Sequence, residues 1–119
     1  MSEAIELYEQ SLEMNKAIGN QQGIAATLNQ LANVYVNQGR VSEAIELYEQ
    51  SLEIKKAIGN QQGIAITLAS IGRLIAVHQD DFDTALDYLQ QSEAILRHIG
   101  SPMADQVVEI IQQLQEIRG

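Results

Sequence analysis

The side chains able to do chemistry are few, and their spacing suits none of the usual tasks. His78 and His98 each lack a second histidine four residues away, the separation that sets two imidazoles on one helical face to hold a metal. The acidic cluster Asp80-Asp81-Phe82-Asp83 has neither the glycine nor the closing glutamate of a calcium loop, so Asp81 or Asp83 reads as a helix cap instead. Gly19, Gly23, Gly59 and Gly63 form no phosphate-cradling loop and read as helix ends. Glu3, Glu6, Glu9 and Glu13 lie on an outward face, where a charge run is a solvated surface. Without cysteine there is no thiolate nucleophile, no disulfide and no thiolate zinc site. No cofactor and no metal are implied, and the protein is read as not an enzyme.

Composition points the same way. In 119 residues, 16 acids stand against 7 bases, and the net charge of −9 repels a phosphate backbone or an anionic membrane. Neither nucleic acid nor membrane is therefore expected as a partner. No apolar run approaches the length of a membrane span, and Met1-Ser2-Glu3-Ala4 does not begin a secretion signal, so a cytoplasmic location is expected. Ala, Leu, Ile, Glu and Gln dominate, and tryptophan is absent. These straight-chain helix formers predict an all-α fold, and the length predicts one domain spanning residues 1–119.

The elements are organised by a repeat. SEAIELYEQSLE occurs at residues 2–13 and again, letter for letter, at 42–53, and AIGNQQGIA occurs at 17–25 and 57–65, a period of forty residues. A weaker third copy starts near Ala85 and carries one extra residue around Asp80-Asp81. Apolar residues recur at three- and four-residue spacing, which predicts helices at about 2–19, 21–38, 42–59, 61–78, 82–99 and 102–117. Gly19-Asn20 and Gly59-Asn60 each end one helix and cap the next; Gly100-Ser101-Pro102 does the same in the third copy. Ser42 is expected to cap the third helix, and Asp80 to stand in for a turn glycine. Ala32 and Gly72 are small where two helices should cross closely.

Leu28-x-x-Leu31-Ala32-x-x-Tyr35-x-x-x-Gly39, followed by Ala44-x-x-x-Tyr48-x-x-Ser51, resembles the tetratricopeptide repeat. The repeat exceeds the usual thirty-four residues, and Lys56 stands where a closing proline is common. In this it resembles the extended repeats of kinesin light chain, spindle-orientation adaptors and bacterial signalling arrays. The resemblance implies a right-handed superhelical solenoid of about six antiparallel helices: two complete repeats with half-repeats at both ends, a fragment of a longer array. It also implies a protein-protein interaction module that binds a peptide segment in its concave groove. By register that groove would take Asn29, Asn33, Val36 and Asn37 from the second helix and Ile66, Ala69, Ser70, Arg73 and Val77 from the fourth, with Asp105, Val108, Glu109 and Gln112 from the last.

Two alternatives stay open at individual residues. Asn29, Asn33 and Asn37, spaced by four, form a ladder suited to an extended peptide backbone, or Asn29 and Asn33 are merely solvated or bonded to neighbouring turns. Arg73, the one base expected in the groove, forks onto a ligand carboxylate or pairs with Glu109 or another acid of the chain. Finally, Ala4, Leu7, Tyr8 and Ser11 have no preceding helix to pack on, which predicts homo-oligomer formation through the uncapped first helix, or a structural scaffold segment of a larger sensor protein assembling through its ends.

Overall fold

The computed structural model describes the backbone of residues 2–118 and the side chains of residues 3–117. Six helices follow one another: α1 (Ser2–Ala17), α2 (Gln21–Asn37), α3 (Val41–Ala57), α4 (Gln61–Gln79), α5 (Phe82–His98) and α6 (Met103–Arg118). There is no strand among the described residues. The chain divides into two compact units, Met1–Gly59 with α1 to α3 and Asn60–Gly119 with α4 to α6.

The stop and start signals act as their chemistry dictates. Gly19, Gly39, Gly59 and Gly100 all take positive φ just past a helix end, which closes each helix with a left-handed residue. The Asn20 side chain then accepts from the Gly23 N–H at 3.0 Å, and Asn60 accepts from the Gly63 N–H at 2.9 Å. Ser101 Oγ accepts from the Met103 N–H at 3.2 Å. Between α4 and α5 the turn glycine is replaced by Asp80 at φ 53°, the one non-glycine with positive φ among the described residues. Asp81 caps α5 by accepting from the Thr84 N–H at 3.2 Å and the Thr84 hydroxyl at 2.7 Å.

One cap is not where the sequence suggests. α3 begins at Val41, so Ser42 lies inside the first turn and Arg40 occupies the N-cap with no side-chain cap bond. Arg40 instead forks onto Glu43, Nε to Oε1 at 2.7 Å and Nη2 to Oε2 at 2.6 Å, while its guanidinium lies 4.3 Å from the centre of the Tyr35 ring. The carboxylate holds the Arg40 pKa above its ordinary value, and Arg40 lowers that of Glu43.

Within unit 1, Leu28, Leu31 and Ala32 of α2 are buried along with Ala44, Tyr48 and Leu52 of α3. Within unit 2, Leu68, Ile71 and Ile75 of α4 are buried with Ala85 and Leu89 of α5 and Val107, Ile111 and Leu114 of α6. Each buried Leu, Ile or Val among them contributes roughly 1.5–3 kcal/mol by leaving water. Gly72 is the close approach: a Cβ there would lie 3.0 Å from the Ala85 carbonyl oxygen and 3.0 Å from Leu89 Cγ. Two buried hydroxyls lock the helix pairs. Ser51 Oγ donates to the Ala25 carbonyl at 2.9 Å, and Ser92 Oγ to the Ala65 carbonyl at 2.7 Å. The two bonds occupy equivalent places in the two units, because the sequences around Ala25 and Ala65 are copies.

Candidate interaction surface

In unit 2, α4 and α6 flank α5 and leave a cavity of about 140 Å³ between them. Ile66, Ala69, Ser70 and Arg73 of α4 line one side, and Met103, Gln106, Val107 and Ile110 of α6 the other, with Ser92 and Leu96 of α5 also in its wall. Four of the five groove residues expected on α4 are thus brought together; the fifth, Val77, is 71% exposed and lies outside the cavity. The helix α6 enters with a different register from the one expected. Val107 and Ile110 line the cavity while Asp105, Val108, Glu109 and Gln112 do not, because the apolar stripe that packs α6 on α5 also turns its edge toward α4. An apolar volume of this size holds about one benzene ring or one branched aliphatic side chain.

Polar groups at the cavity divide into engaged and available. Ser70 Oγ donates back to the Ile66 carbonyl of its own helix at 3.1 Å. Gln62 Nε2 donates to Met103 Sδ at 3.8 Å, linking α4 to α6. Arg73 is exposed, and among the described residues its guanidinium has no ion pair and no hydrogen bond; the pair with Glu109 is not formed. The other copy offers a contrast. Asn33, which holds the place of Arg73 in unit 1, accepts a hydrogen bond from the Tyr48 hydroxyl of α3. The residue in α5 that corresponds to Tyr48 is Leu89, which offers no polar atom.

On unit 1 the expected asparagine ladder therefore has three different environments. Asn33 is tied to Tyr48, and Asn37 is exposed. The side-chain oxygen of Asn29 is buried and has no hydrogen-bond partner among the described residues. Val36, also expected on this face, is half-buried. The Asn33–Tyr48 bond was not foreseen, although its signal is in the sequence: the two residues stand on either side of the short turn at 38–40, and an antiparallel helix pair brings such positions near one another.

The predicted self-association residues sit on α1. Leu7 is 65% exposed, and Ala4, Tyr8 and Ser11 are half-buried. No group of three His, Cys, Asp or Glu side chains able to hold a metal occurs among the described residues. No helix among them is long and apolar enough to cross a membrane.

Helix pairs of forty-residue period, closed by glycine, capped by asparagine and crossed at small residues, define a helical-repeat protein. The tetratricopeptide repeat matches residues 1–57 and again residues 23–98. The chain belongs to the tetratricopeptide repeat family, whose repeats form a non-enzymatic scaffold and generally serve as protein-protein interaction modules. No curated protein matches the chain.

Proposed function

We propose that the chain binds a short peptide segment of a partner protein, and that unit 2 supplies a principal recognition site. The observation that carries this reading is the side-chain-sized apolar cavity between α4 and α6 with the unpaired Arg73 guanidinium in its wall. The ligand it suits has one aliphatic or aromatic side chain to fill the cavity and a carboxylate close by for Arg73. A guanidinium matches a carboxylate with two parallel N–H donors, and such charge-assisted bonds are worth about twice a neutral one. The acidic character of the rest of the chain gives Arg73 its selectivity, because an acidic segment meets attraction here and repulsion over most of the remaining surface.

The test is a peptide array in which an apolar residue is paired with Asp, Asn or Lys at each neighbouring position. Binding is expected to follow the apolar-Asp pairs, and Arg73→Ala is expected to weaken it about tenfold or more, the order of a charged hydrogen bond. Indifference to the acidic neighbour would overturn the assignment.

A second reading is favoured by the open apolar stripe along α1 and the residue just past its end, where Leu7, Met14 and Ile18 are 65%, 69% and 75% exposed. On this reading the chain is a scaffold segment that joins further protein through its first helix. Sedimentation that stays independent of concentration would count against a second copy as the joined protein.

A further inference from the structure

The third copy of the repeat changes one residue of the cavity wall from polar to apolar. Gln22 and Gln62 stand three residues after Gly19 and Gly59, whereas the residue three after Gly100 is Met103. Met103 is the first residue of α6, is half-buried, and lines the cavity from the side facing Ile66 and Ala69. Its Sδ accepts from Gln62 Nε2 at 3.8 Å, and the Gln62 side chain has no other partner among the described residues. A thioether is a weak acceptor, so a strong amide donor is matched here with the poorer kind of partner. The two hydroxyls of the wall are committed elsewhere, Ser70 to the Ile66 carbonyl and Ser92 to the Ala65 carbonyl. Gln62 is therefore the donor placed to receive any stronger acceptor that arises on the Met103 sulfur.

Resting on the peptide-binding reading above, we propose that Met103 is a redox-modification site, through which hydrogen peroxide closes the α4–α6 cavity to apolar ligands. The sulfur lone pair attacks one peroxide oxygen and the O–O bond breaks. The departing hydroxide takes the proton from the oxygen now on sulfur, which leaves a sulfoxide and water; sulfur loses two electrons and the peroxide gains them. The product keeps the length of the methionine side chain but ends its apolar character, and reductases specific for each sulfoxide epimer reverse the step. Its oxygen supplies at Met103 the acceptor that a glutamine side chain carries at this position in the other two copies. That oxygen takes the Gln62 N–H, tightens the link between α4 and α6, and sets a polar atom in the wall where the apolar side chain of a ligand would pack. Met14 is 69% exposed and lines no part of this cavity, so its oxidation is an internal control.

The test uses the full chain with isoleucine methyls and glutamine side-chain amides labelled for NMR, treated with hydrogen peroxide and mapped for oxygen uptake at Met103 and Met14 separately. Uptake at Met103 is expected to shift the methyl signals of Ile66 and Ile110, which line the cavity, and to slow exchange of the Gln62 amide protons. It is also expected to weaken the apolar-Asp peptides about tenfold, as a polar atom set against an apolar group does. A methionine sulfoxide reductase should reverse all three changes. Met103→Leu should bind these peptides as the parent does and keep its affinity in peroxide, while Met103→Gln should bind weakly without any oxidant. Met103 remaining reduced at a dose that converts Met14 completely overturns the proposal. So does a Met103 sulfoxide that leaves Gln62 exchange and peptide affinity unchanged, or a Met103→Leu chain that loses as much affinity in peroxide as the parent. If the reduced chain binds no apolar-Asp peptide, the peptide reading fails by itself and Gln62 exchange decides the matter. Exchange slowed by peroxide in the parent but not in Met103→Leu upholds the site, and exchange unchanged in both overturns it.

Discussion

Identical residues in unequal surroundings make the duplicated serines and tyrosines an internal control. Ser51 and Ser11 sit in the same twelve-letter sequence, yet only Ser51 is buried and bonded. Ser51→Ala should cost about 1 kcal/mol, the usual worth of a buried hydrogen bond, and Ser11→Ala close to nothing. Chemical denaturation of the two variants reads the difference directly. Lys55 gives a second residue-scale prediction. Its side chain is 7% exposed, and burial pushes its pKa below the ordinary lysine value. The folded state thus releases this proton at a lower pH than the unfolded chain. Between the depressed folded pKa and the ordinary value of 10.5 the unfolded chain binds more protons, so this group makes stability rise with pH across that window. Lys55→Met should flatten that rise in denaturation midpoints measured from pH 8 to pH 10. The fate of individual polar residues was the least legible part of the sequence. Whether an amide faces ligand or neighbour depends on what the opposite helix offers, and it took the placement of Tyr48 and Leu89 to separate Asn33 from Arg73.

Helices and their turns were legible because the physics that fixes them is local. Three- and four-residue apolar spacing, an Asn cap and a left-handed glycine act within a few residues, and the observed ends fall within two residues of those expected. The Ser42 cap failed for an equally local reason: Arg40 finds both a carboxylate at Glu43 and an aromatic face at Tyr35, and α3 starts one residue sooner. The turn into α5 holds Asp80 at φ 53° where the preceding turn of the same kind has Gly39 at φ 78°. A left-handed residue with a Cβ costs about 1–2 kcal/mol. Asp80→Gly should therefore raise Tm modestly, and Asp80→Val, β-branched at that φ, should lower it. Gly72 behaves in the opposite sense. Alanine would gain about 1 kcal/mol of helix propensity, but its Cβ would press on the Ala85 carbonyl and on Leu89, which is fully buried. Overpacking of this kind costs about 1–3 kcal/mol, so Gly72→Ala is expected to be neutral to destabilising despite the better helix former. Calorimetry on the single variants would show these opposite responses to removing a Cβ at Asp80 and adding one at Gly72.

At the scale of the whole molecule, charge and repetition set behaviour. A net charge of −9 on 119 residues repels itself, so Tm should rise as salt is taken from about 10 mM to about 150 mM, where the Debye length falls to about 8 Å. A Tm that falls with salt would mean that the ion pairs Arg40–Glu43 and Arg97–Glu93 outweigh the repulsion. The repeat itself explains why the family could be read from the residues while the binding site could be read only in part. Copies 2–28 and 42–68 preserve the framework almost unchanged, and from Asn29 and Ala69 onward the two helices differ at every position to the turn. Framework residues announce themselves by recurrence; surface residues that differ between copies carry no such signal, and their roles follow from the cavity that α6 completes. The central claim is that this cavity takes one apolar side chain beside a carboxylate. It is tested most directly by Ala69→Leu, which fills the cavity from α4 without touching the polar groups around it. The account predicts that this variant, with Tm within a few degrees of the parent, loses binding to the apolar-Asp peptides of the array; full retention of that binding would contradict it.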